Sequence, residues 1–122
     1  MQIEIQKPAH RTIYPNIGDN LEAPEDERFA IELERPSDIR LSESSVKFVA
    51  GEDGEMEQQV NTFALIRAYI RRLVNPIDLK IDGKVRKMTV ADLFKYNEFA
   101  DTMQEIDRAI GEMREEAADR KN

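Results

Sequence analysis

The chain of 122 residues has no cysteine, no tryptophan, one histidine, five glycines and five prolines. Without cysteine there can be no disulfide, thiolate nucleophile, zinc finger or iron–sulfur ligation. A lone histidine, His10, leaves no His-rich metal cluster and no pair of histidines on one helix. Serines occur at Ser37, Ser42, Ser44 and Ser45, but none stands in a Gly-x-Ser-x-Gly elbow. The glycines build no Gly-x-x-x-x-Gly-Lys phosphate loop, so no cofactor is expected. No apolar run approaches the roughly 18 residues that cross a membrane, and no charged-then-apolar leader is read. A protein of the cytoplasm without membrane contact is therefore expected. Cationic charge is scarce too: 18 Lys and Arg stand against 25 Asp and Glu, a net charge of −7. That balance argues against a general nucleic-acid binder, which needs a cationic footprint to displace counterions.

What is present is charge: 35% of residues are charged and 40% are hydrophobic. One domain with a thin core is expected, and such a chain often completes its core against a partner. The charge is ordered. Residues 1–60 hold six basic and fourteen acidic side chains, residues 61–90 hold seven basic and two acidic, and residues 98–122 hold four and eight. The basic middle (Arg67, Arg71, Arg72, Lys80, Lys84, Arg86, Lys87) either folds against the acidic ends or offers Arg67, Arg71 and Arg72 to an acidic partner. It lacks the interleaved aromatics of a nucleic-acid groove. The run Gly51-Glu52-Asp53-Gly54-Glu55 lacks calcium-loop spacing and reads as a solvated turn.

The expected fold class is α+β, with short N-terminal strands, a central helix, a β-hairpin and a long C-terminal helix. Residues 1–35 read as N-terminal strands with a Pro-rich arm, and 36–122 as a mainly helical domain with a hairpin at 78–88. Gln2–Gln6 alternates apolar and polar, a short strand with Ile3 and Ile5 on one face. Residues 8–27 hold Pro8, Pro15, Pro24, Gly18 and an acidic run, and are expected to be an arm with little contact to its own domain. Phe29, Ile31 and Leu33 mark a strand ended by Pro36. Residues 37–45 are ambiguous between a helical turn and an extended piece, and 46–49 read as extended. From Glu57 to Val74 apolar residues recur in three- and four-residue steps, a helix with Phe63 and Ile70 in the core. Asp82-Gly83 between extended segments signals a type I′ hairpin turn. Thr89 with Asp92 three residues on starts a short helix whose inward face holds Val90, Leu93, Phe94 and Asn97.

The phase then shifts near Asn97. Tyr96, Phe99, Met103, Ile106, Ile110, Met113 and Ala117 alternate in steps of three and four, an unbroken a/d heptad. It predicts either an internal seam or an oligomer seam through Tyr96, Phe99, Met103, Ile106, Ile110 and Met113. The oligomer is the expectation, since the rest of the core closes without these residues.

The run Phe29-Ala30-Ile31-Glu32-Leu33-Glu34-Arg35-Pro36, followed by an acidic-polar turn and helices, resembles the small tail-assembly chaperones of bacteriophages with contractile or long tails. The likeness covers residues 29–113 in layout and these eight residues in motif. It implies a non-enzymatic, self-associating protein of the infected host cytoplasm that coats the tape-measure protein during tail assembly, with no catalytic residue. Other phage or assembly proteins are then its partners. The competing readings are a phage or bacterial structural subunit or adaptor that uses an extended N-terminal arm, and a small enzyme, for which these residues supply no pocket.

Overall fold

The computed structural model describes residues 1–44, 46–50, 56–60 and 62–120, with side chains described over 1–41 and 62–119. The loop expected at 51–55 lies outside the described residues. The fold is α+β. Its body is a three-stranded antiparallel sheet of β1 (His10–Ile13), β2 (Ala30–Glu34) and β5 (Ile70–Val74), with β2 in the middle. Between β2 and β5 come α1 (Asp38–Ser44), a hairpin of β3 (Val46–Ala50) and β4 (Met56–Val60), and α2 (Thr62–Tyr69). A second hairpin, β6 (Asp78–Ile81) and β7 (Lys84–Lys87), leads to the single turn α3 (Val90–Leu93), a 3-10 turn at Asn97–Phe99 and the long helix α4 (Ala100–Arg120).

β2 alternates as a strand with one face on a core must. Ile31 and Leu33 are fully buried, while Glu32 and Glu34 turn to the other face. The inner face packs with Tyr69, Ile70, Leu93, Phe99, Ile106, Ile110 and Met113 into one cluster. Arg11 clamps the edge strand to α4 by hydrogen bonds to Glu112 and, at 2.7 Å, to Glu116 Oε1. The register of β2 on β5 slips at one point: Glu32 faces Arg72, but Leu33 faces Ile70. Arg71 is therefore an extra residue, a bulge. The bulge lets Arg71 and Arg72 both lie at the surface while Ile70 stays buried.

Three expectations are corrected. The single helix over 57–74 is a strand, a two-turn helix and a second strand. Four-residue steps of apolar side chains suit a helix, but the open side of β2 offers Ile70–Val74 a ladder, and tertiary pairing overrides local periodicity. As a result Phe63 leaves the core and is 64% exposed. Next, residues 8–27 are not a loose arm. β1 pairs with β2, Pro15 is buried, and Ile13 and Ile17 pack on the core. Asn20 donates to Pro15 O and Phe29 O and accepts from Phe29 N (2.8 Å), standing in for a strand neighbour. Arg28 donates to Ala23 O and Leu21 O with its guanidinium over the Tyr14 ring. Asn75, at φ 50°, donates to Asp26 O and Arg28 O and fastens the far end. Such side-chain bonds satisfy loop backbone without regular structure, which is why composition did not show them. Lastly, Gln2–Gln6 forms no strand, and Ile3 and Ile5 are exposed.

The hairpin at 78–88 is as expected, with φ of 51° at Asp82 and 80° at Gly83, as a type I′ turn requires. The capping box of Thr89 and Asp92 also forms. Of the face expected inward, Leu93 is buried, Val90 and Phe94 are half-buried, and Asn97 is exposed. No helix among the described residues is long and apolar enough to cross a membrane.

Candidate interaction surface

The six heptad residues expected to make an oligomer seam are drawn into the chain's own fold. Phe99, Ile106, Ile110 and Met113 are buried in the core cluster, and Tyr96 and Met103 pack half-buried against it. Tyr96 precedes the helix altogether. Along α4 the buried positions include Thr102 and Ala109 as well, both at g, so the buried stripe is wider than the a/d seam of a coiled coil, as on a helix packed into its own core. The four buried side chains are unavailable to a second copy unless the fold opens.

The three arginines expected to make one basic surface are divided. Arg72 is held by Glu32, with Nε donating to Oε2 (2.7 Å) and Nη2 to Oε1 (3.0 Å), which draws the Glu32 carboxyl below its ordinary pKa. Arg71 occupies the bulge, and Arg67 stands on α2. Among the described residues neither Arg67 nor Arg71 has a hydrogen bond or ion pair.

One apolar feature lies beside Arg67. Phe63 starts α2 and meets the ring of Phe94 edge-on, with centroids 6.0 Å apart and planes at 88°. This is the favoured quadrupole arrangement for two rings. Phe94 leans on the core, whereas Phe63 is mostly in solvent. Arg67, four residues on, shares Phe63's side of the helix. A shallow hollow of about 330 Å³ is lined by Arg40, Ala64, Arg67 and Ala68. Ala64 and Ala68 form its small floor and the two arginines its walls, and Phe63 stands on the same helix one turn before Arg67. Sequence periodicity missed it because Phe63 was counted with the core face; the alanines among arginines were the available signal.

The buried charge is elsewhere and has a structural task. Asp92 accepts from Arg86 Nη1 (2.8 Å) and Nη2 (2.7 Å) and from Thr89 N (2.7 Å). The Arg86 guanidinium, aided by the Thr89 donors, holds this carboxyl well below the usual carboxylate range against the opposing effect of burial. All its partners are its own chain's, tying the second hairpin to the start of α3. His10 Nε2 lies 3.2 Å from Glu34 Oε1 on the outer face of the sheet. Among the described residues no three His, Asp or Glu side chains are grouped to hold a metal ion.

A larger hollow of about 600 Å³ opens at the end of α4, between Pro8 and Ala9, Arg35 and Pro36, and Met113 and Ala117. Comparison of the chain with protein-family models, with curated proteins and with solved structures found no match.

Proposed function

We propose that this chain is a non-enzymatic protein-interaction protein that serves an assembly, and that its client lies across α2 on Phe63, Phe94 and the arginine-walled hollow. The observation that carries the reading is the exposure of Phe63. A phenylalanine left in water beside a second ring and Arg67 has the make-up of an interface anchor, since aromatic and Arg side chains dominate such sites. Arg67 and the Ala64/Ala68 floor suit an amphipathic helical segment with acidic flanks, and opposed charge speeds such encounters.

The likeness of Phe29–Pro36 to the tail-assembly chaperones supports the narrower form of this proposal. In that form the chain holds the tape-measure protein of a phage tail in the host cytoplasm. Co-expression of the full chain with a tape-measure protein tests it. The wild type should retain that protein through purification, and F63S/R67E should lose at least ten-fold of it while keeping its own fold. Equal retention by the variant, or none by the wild type, would overturn the reading.

A further inference from the structure

The odd-numbered positions of the N-terminal stretch keep one phase: Ile3, Ile5, Lys7, Ala9, Arg11 and Ile13. In β1 the odd positions form the inner face, with Ala9, Arg11 and Ile13 half-buried and His10 and Thr12 exposed. Residues 2–6 thus read as the continuation of β1, apolar on the same side, yet Ile3 and Ile5 are 72% and 83% exposed. β1 itself is an edge. Arg35 N donates to Ala9 O (2.9 Å), and Arg11 and Ile13 face Leu33 and Ile31. In an antiparallel ladder that places the bonds to β2 at Ala9, Arg11 and Ile13, and turns the N–H and C=O groups of His10 and Thr12 outward.

The chain cannot lay the whole of its own residues 2–6 back on this edge. Ala9 is already in the ladder, which leaves Lys7-Pro8 as the whole reversing loop. Two-residue hairpin loops need positive φ at the first central residue, or at both. Pro8 is locked near −65° and disfavours the helical region at Lys7, and neither position is glycine.

We propose that residues 2–6 of one copy add as an antiparallel strand to the free edge of β1 in a second copy, and receive the same from it. A two-fold axis at Lys7 makes the exchange reciprocal, as an isologous dimer requires. Glu4 then lies across from His10, opposite in charge when the imidazole is protonated, and Gln2 across from Thr12. Gln6 donates to the carbonyl of Pro8, which has no N–H to offer. Ile5 falls beside Ala9 and Ile3 beside Arg11, on the inner face. There Ile5 reaches the hollow of about 600 Å³ that Ala9 lines together with Met113 and Ala117 of α4. The two Lys7 side chains meet near the axis, and Glu116 lines the hollow on the same face. The added strand also removes an exposed sheet edge, which isolated proteins otherwise protect.

Sedimentation of the full chain over a concentration series tests the exchange. The wild type should reach twice the chain mass. Ile3→Asp with Ile5→Asp, at positions the single chain leaves in solvent, should sediment as one chain and melt as the dissociated wild type does at low concentration. Thr12→Pro deletes an outward amide while sparing the bonds to β2, and should have the same effect. A wild type of single-chain mass at the highest concentration, or either variant still doubling, overturns the proposal. The readout involves no client, so the exchange and the proposed client site fail separately.

Discussion

Residues 96–117 and residues 2–6 each repeat apolar side chains at the period of a regular element, yet Ile106 and Ile110 are 0% and 1% exposed while Ile3 and Ile5 stand in solvent. Both patterns state that one face must be buried. Neither states against what. α4 finds the inner face of the sheet, with Ile31 and Leu33 aligned by β2 and Arg11 holding its last turns. Residues 2–6 find nothing in the single chain, because a strand needs a ladder partner as well as an apolar floor and Lys7-Pro8 does not suit a tight reversal toward β1.

The difference can be broken most strongly at the buried end. Ile106→Ala should cost about 2–5 kcal/mol by denaturant unfolding, since it deletes methylenes in a closed core. Ile3→Ala in the single chain should stay within about 0.5 kcal/mol. Similar costs at both sites would mean that the N-terminal stretch packs on its own domain. Next in size is the Asp92 network, which joins the second hairpin to the body that buries α4. Asp92→Ala should cost about 1–3 kcal/mol, because the Thr89 amide and Arg86 lose their acceptor. The folded Asp92 carboxyl has a lowered pKa, so its contribution is full above the ordinary aspartate value of about 4 and is lost as pH falls below it. Asp92→Asn should flatten that acid slope in a pH series of melting curves; an unchanged slope would locate the acid sensitivity elsewhere.

Phe63 sharpens the comparison from a third side, as an apolar side chain that helical spacing assigned to the core and the fold leaves out. Phe63→Ala should cost no more than about 1.5 kcal/mol, the worth of its edge-on contact with Phe94. A loss equal to that of Ile106→Ala would return it to the core. The smallest effect belongs to the cross-strand pair on the outer face of the sheet. Glu32→Gln should cost about 0.2–1 kcal/mol and less in high salt, since Arg72 remains solvated. A loss independent of salt would contradict an ionic origin.

Much was legible where one residue type has one physical use. Asp82-Gly83 specified its turn through positive φ, Thr89 and Asp92 specified a helix start, and Ile31 and Leu33 specified a half-buried strand. The segment 57–74 was not legible, because β-branched and apolar residues in three- and four-residue steps serve a short helix or a bulged strand equally well. Only the vacant side of β2 decides between them, through the Arg71 bulge. The Pro-rich stretch was misread for a related reason: Asn20, Arg28 and Asn75 bond to backbone that lies near them only after folding. The candidate surface was hidden for the same reason, since helical spacing puts Phe63 with Ile70, and Phe63 lies at the surface of the shorter helix that ends at Tyr69.

By itself, then, the sequence determined the α+β class, the second hairpin, the break before the long helix and the existence of an apolar stripe along it. These depend on backbone sterics and on periodicity within a few residues. Only the tertiary structure decided that the stripe closes on β2, that Arg72 answers Glu32 while Arg67 stays open, and that Ile3 and Ile5 remain outside. Those outcomes depend on which distant segment occupies each ladder edge and each apolar face, and local pattern carries no information about that competition.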